Sequence, residues 1–162
     1  MRGGVPVYFV SPTKGVMSFE RMYDDVVDYI EQYPDDDYKL IIGTDSHTKD
    51  HVLFVTAVVI HRKGKGGRYY YTKKQDRKMP SMRQRIYHEA ALSLGVASRL
   101  AAKIARNGTS HLNVEIHLDV GQEGDTKDLI REIVGMVVGS GFDVKIKPDS
   151  YGASKVADKH SK

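Results

Sequence analysis

The chain has 162 residues, 40% hydrophobic and 28% charged, with a formal net charge of +4 and no cysteine. That length suits one domain with its own core, and the missing cysteine excludes disulfides, thiolate metal sites and cysteine nucleophiles. No apolar run approaches the roughly 18 residues of a membrane span, and the apolar patch near the start lacks the long core and cleavage site of a secretory leader, so a cytoplasmic protein is expected.

Residues 1–17 are punctuated by Gly and Pro, with a short strand expected at Val7–Val10. Ser18 is a suitable N-cap. Phe19, Met22, Tyr23, Val26 and Ile30 recur at helical spacing, which predicts an amphipathic helix over Ser18–Gln32. Pro34 and the run Asp35–Asp37 end it, and that acidic run reads as a solvated loop. Lys39–His47 follows as KLIIGTDSH, in which the aliphatics Leu40–Ile42 run through a glycine to Asp45. Such a stretch reads as a buried strand. A carboxylate at its end is costly to bury unless it is paired or holds a metal. Asp45 is therefore either a metal ligand or the cap of the turn that follows.

His51–Arg62 is a long β-branched run, Lys63–Gly67 a Gly/Lys turn and Arg68–Lys74 another strand, which completes an antiparallel meander of three strands. His47, His51 and His61 suit surface or cap positions, with His47 kept as a minor candidate. Between Arg62 and Arg85 ten basic residues accompany one acid, Asp76, whereas the rest of the chain holds 15 basic and 20 acidic residues. A basic segment on an acidic body suits a polyanionic partner. Arg62, Lys63, Lys65, Arg68, Lys73 and Lys74 are the candidate nucleic-acid contacts, with Tyr69, Tyr70 and Tyr71 as stacking faces. The competing reading is a solvated hairpin whose lysines guard a strand edge.

Ser81 opens the longest predicted helix, which ends near Arg106 with Gly108 as its stop. Its inward stripe reads Met82, Ile86, Ala90, Ser93, Ala97, Leu100, Ala101 and Ile104. Glu89 projects within that stripe, about 60° from the Ile86 direction. A lone glutamate there either snorkels to an arginine or serves a site built under the helix. His111–Val120 alternates Leu112, Val114, Ile116, Leu118 and Val120 against Asn113, Glu115, His117 and Asp119, and again ends in an aspartate, LDVG. If the strands of Asp45 and Asp119 are parallel neighbours, their carboxylates can share a cation at the carboxyl ends, where sites in open α/β sheets gather. Asp125 or Thr126 caps a further helix to about Val138, with Gly139 and Gly141 beyond it. Phe142–Lys147 is a last strand, and Ser150–Lys162 holds a loop and a short polar helix carrying Asp158. No repeat or linker divides the chain, so residues 1–162 are expected to form one domain.

This order of elements resembles the ribonuclease H-like fold. Closer still, GTDSH at Gly43–His47, HLDVG at His117–Gly121, LIREIVGMVVGSGF at Leu129–Phe142 and VKIKPDSYGASKVAD at Val144–Asp158 resemble the YkuK family of bacterial ribonuclease H-like proteins. The resemblance implies an α/β fold with a mixed five-stranded sheet in the order 3-2-1-4-5, flanked by helices. It also implies four acids binding two Mg²⁺ or Mn²⁺ ions: Asp45, Glu89, Asp119 and Asp158, with Asp149 competing for the fourth place. The activity implied is two-metal hydrolysis of phosphodiesters in RNA, DNA or a hybrid; the alternative is a nucleic-acid-binding module without turnover. Some relatives carry a histidine before the terminal helix; Lys147–Lys155 has none, which leaves a proton shuttle unassigned.

Overall fold

The computed structural model describes residues 6, 8–108, 112–120, 127–147 and 152–161. Three long strands, β3 (Tyr38–Thr48), β4 (His51–Arg62) and β5 (Gly67–Arg77), form the antiparallel meander. The turn into β5 requires its glycine, because a Cβ on Gly67 would stand 2.2 Å from the Ile60 carbonyl oxygen. The helix α2 (Met82–Arg106) then carries the chain back, so that β6 (Asn113–His117) pairs parallel to β3 and β7 (Asp143–Lys145) parallel to β6. These five strands lie in the expected order.

Among the described residues the sheet nevertheless has seven strands rather than five. A hairpin of β1 (Tyr8–Ser11) and β2 (Gly15–Ser18) precedes α1 (Phe19–Gln32), and β1 pairs with β5 at Val10–Tyr71. The hairpin is pinned through α1: the buried carboxylate of Asp25 accepts from Lys14 and from the Tyr70 hydroxyl, with Arg68 3.5 Å away. Phe9, fully buried, packs its ring 6.2 Å from Phe19. Ser18 and Ser81 cap α1 and α2 as expected, accepting from the amides of Arg21 and Gln84.

Strand alternation sends Leu40, Ile42, Val58 and Ile60 to one face, under α1 and α2, and Ile41, Val55 and Ala57 to the other. The second face is covered by the terminal helix α4 (Gly152–Ser161), whose Ala153 and Ala157 are fully buried. Both faces of the middle strands are therefore dry, which explains the unbroken apolar runs. Under the same cover Glu115 and His117, the polar half of the alternation in β6, are 5% and 3% exposed. They stand 2.6 Å apart with Lys39 3.6 Å from Glu115, and burial holds His117 below its ordinary range. On α2, Met82 is exposed and Leu92 takes an inward place, packing with Val52, Phe54 and Met79.

The seating of α2 on β3 is polar where the rest is apolar. Thr44 Oγ1 lies 2.8 Å from Ser93 Oγ and 2.9 Å from Thr56 Oγ1, all three residues being buried. Thr44→Val keeps the volume but strips both hydroxyls of their shared partner, so a loss of about 1–3 kcal/mol is expected, read as a lower urea midpoint with an unchanged m-value.

Candidate functional site

The β3–β6 ladder ends at the pair Gly43–His117. Beyond it β3 continues to Thr48, while the other chain leans away toward β7. The Leu118 amide donates to the Lys145 carbonyl and the Lys147 amide to that of Val120, both at 2.9 Å. The ladder thus parts at the carboxyl ends of the two parallel strands, where the sheet's strand order reverses and where the sites of open α/β sheets gather. Asp45 and Asp119 each stand two residues past that last rung, so the expected parallel relation of their strands holds.

The other two acids reach this end of the sheet from the layers above and below. Ser93 binds Thr44, and one helical turn earlier Glu89 accepts from the Ser46 hydroxyl at 2.5 Å. Four helical residues rise about 6 Å and two strand residues about 6.6 Å, so the two contacts fit as successive rungs. On the opposite face Ser161 of α4 donates to Asp45 Oδ2 at 3.3 Å and to the Asp158 carbonyl at 3.1 Å. The last turn of α4 is held by His160, whose ring stacks on Tyr71 at 3.9 Å and whose Nε2 is 3.1 Å from the Tyr69 hydroxyl.

The electrostatics bind these acids into one group. Burial, with the charges of Asp158 and Asp119, raises the Asp45 carboxyl above its usual range. Burial, with the charges of Asp45 and Asp119, pushes Glu89 up to about 7, against the Ser46 hydrogen bond. Cationic relief is sparse: Lys147 Nζ lies 3.3 Å from Asp119, and Arg85 acts weakly on Glu89. An all-oxygen donor set of carboxylates fits hard divalent cations in its chemistry. Among the described residues, however, no three Asp, Glu or His groups converge closely enough to hold one ion. Asp149 lies outside the described residues, as do Asp125 and Thr126.

The basic segment does not form one patch. Arg62 pairs with Asp36 at 2.5 Å and lies over the Tyr33 ring, and Lys65 reaches Asp36 at 3.6 Å. Arg68 is engaged by Asp25 and lies over Tyr29. These three and Lys63 sit at the end of the sheet opposite the acids. Lys73 and Lys74 sit at the acid end: they face Val55 and Phe54, which in turn face Asp45 and Ser46. Two strand spacings separate the rows, about 10 Å. The tyrosine triplet is not a stacking platform, since Tyr70 is 1% exposed and His160 engages Tyr69 and Tyr71.

Ser46, Ser161, His160 and Lys147 were not among the residues singled out in the sequence. Ser46, beside Asp45 in GTDSH, carried the clearest signal; the others depend on how α4 and β7 lie.

The fold and the acids at this end of the sheet define a ribonuclease H-like protein, and the chain belongs to that family: the Ribonuclease H-like family matches residues 21–162. Within it the chain is 34% identical over 167 residues to "Uncharacterized protein YkuK" of Bacillus subtilis (strain 168), covering 95% of this chain and 96% of that protein. It is accordingly a member of the YkuK family. No solved structure matches it. Among the described residues no helix is long and apolar enough to cross a membrane.

A glutamate raised to about 7 makes stability depend on pH. Its folded pKa lies above the unfolded value, so its contribution is complete below about 4.5 and is lost as pH rises through 7. Glu89→Gln, which keeps an acceptor for Ser46, is expected to raise the unfolding free energy at pH 8 by about 1–3 kcal/mol, with little change at pH 5. Urea denaturation at the two pH values checks this.

Proposed function

We propose that the protein is a divalent-metal-dependent nuclease that hydrolyses phosphodiester bonds of RNA, DNA or a hybrid. The observation that carries this reading is the placement of acids from separate elements at the carboxyl end of β3 and β6: Asp45 and Asp119 two residues past the last rung, Glu89 on Ser46, and the last turn of α4 on Asp45. Asp45, Glu89, Asp119 and Asp158 would hold Mg²⁺ or Mn²⁺, which when bound acidifies water and stabilises the leaving oxygen. Ser46 and Ser161 fix the Glu89 and Asp45 carboxylates by single hydrogen bonds. Lys147, tied to Asp119 and with over half its side chain exposed, is placed to meet a phosphate beside the acids. Lys73 and Lys74 extend that cationic rim along β5 and would hold the backbone without reading bases. Arg62, Lys65 and Arg68, committed to Asp36 and Asp25, would hold the meander rather than the substrate. A cytoplasmic location, among abundant nucleic acid, belongs to the same reading.

The second reading, a nucleic-acid-binding module without turnover, draws support from the wide spacing of the acids and the lysine on Asp119. Asp45→Asn separates the two. For a nuclease, Mn²⁺-dependent cleavage of single-stranded RNA, duplex DNA or hybrid falls about 100-fold or more while binding persists. No cleavage of any of the three by the unaltered protein supports the module instead.

The rim is tested separately by salt titration. Lys73→Glu combined with Lys74→Glu is expected to weaken polynucleotide binding and to reduce the salt slope by about two. Arg62→Ala is expected to lower stability while leaving that slope unchanged.

A further inference from the structure

At the end of the sheet opposite the acids, a cavity of about 620 Å³ lies between the α1–β3 loop, the start of β3 and the β4–β5 turn. That volume falls within the range of small-molecule sites. Its wall divides by chemistry: Ile30, Pro34 and Leu112 supply an apolar part, and Lys39, His61 and Lys63 a basic one. The basic part is fixed by the ladder, since His61 and Lys39 are paired across adjacent strands. Lys63 is anchored where its backbone amide donates to the Asp37 carbonyl at 2.9 Å.

The charge balance favours an anion. Of the two acids on the wall, Asp36 is already engaged by Arg62 and Lys65, which leaves Lys39 and Lys63 against Asp37 alone; the Lys63 side chain is exposed and that of Lys39 is 40% exposed beyond its contact with Glu115. His61 carries a buried Nδ1 with no hydrogen-bond partner among the described residues.

We infer that this cavity is a second binding site, for an aromatic ring that bears a phosphate, the chemistry of a nucleoside monophosphate. The ring lies against Ile30, Pro34 and Leu112, and the phosphate meets Lys39 and Lys63 with His61 beside it. Lys39 precedes Asp45 by six strand residues, about 20 Å, so one mononucleotide does not touch both places. The inference stands whether or not the acid site hydrolyses anything.

The probe is AMP, titrated into ¹⁵N-labelled protein, with inorganic phosphate and adenosine as partial ligands. AMP is expected to shift the amides of Lys39, His61 and Lys63, and to bind more tightly than either fragment. Lys63→Glu, at an exposed turn that leaves the fold intact, is expected to weaken AMP about tenfold, and Asp45→Asn to leave it unchanged. Absence of shifts at these three amides overturns the site. Adenosine binding as well as AMP overturns the phosphate contact. Shifts unaffected by Lys63→Glu but abolished by Asp45→Asn return the ligand to the acid end of the sheet and overturn the second site.

Discussion

The candidate site depends on how one helix is seated on one strand. The Ser93–Thr44 and Glu89–Ser46 contacts are the two successive rungs between α2 and β3, and they work because the rise of one helical turn nearly equals that of two strand residues. The first rung is buried and neutral, and it fixes both the height and the rotation of the helix. The second then follows without freedom, and it places a carboxylate where a hydrocarbon side chain would suit the stripe better. An apolar helix–sheet interface alone tolerates sliding, because dispersion contacts are non-directional. The hydroxyl triad removes that tolerance.

Around this seating the sheet separates two incompatible demands. Its interior needs both faces dry, and α1, α2 and α4 supply the cover. Its carboxyl end carries the candidate acids, and β6 parts from β3 there after Gly43 and His117. Burial raises the proton affinity of a carboxylate and neighbouring like charges add to it, which is what Asp45 and Glu89 display. At the other end, acids and bases are arranged to cancel, with Asp25 and Asp36 drawing in Lys14, Arg62, Lys65 and Arg68. The same sheet thus sets the candidate acids at one end and the ion pairs of Asp25 and Asp36 at the other.

Much of this could be read in advance where the signal is local. Caps at Ser18 and Ser81 are single-residue signals, and both formed. An aspartate after an aliphatic run marks a strand end, so Asp45 and Asp119 stood out, and Glu89 stood out against an apolar stripe. What failed was whatever depends on a partner far away in sequence. The strand expected at Val7–Val10 is β1, but β2 has too little apolar pattern of its own to announce a hairpin, and the anchor, Asp25, looks like any helix surface acid until Lys14 and Tyr70 close on it. Glu115 and His117 alternate as if exposed because nothing in β6 announces that α4 lies above them. The basic run was continuous along the chain, but a hairpin folds it back, and its halves go to opposite ends of the sheet.

The attachment of α4 has a consequence for how the protein comes apart. This helix has only ten residues, and its fully buried apolar side chains are two alanines. Val156 and the sheet residues Ile41, Val55 and Ala57 complete that interface, a smaller apolar cluster than the one beneath α1 and α2. Detachment of α4 is then a sub-global opening, reached well before the sheet melts. It would carry off Asp158 and Ser161 together while Asp45, Glu89 and Asp119 keep their places, so the candidate set of acids can lose one member inside a molecule that is otherwise folded.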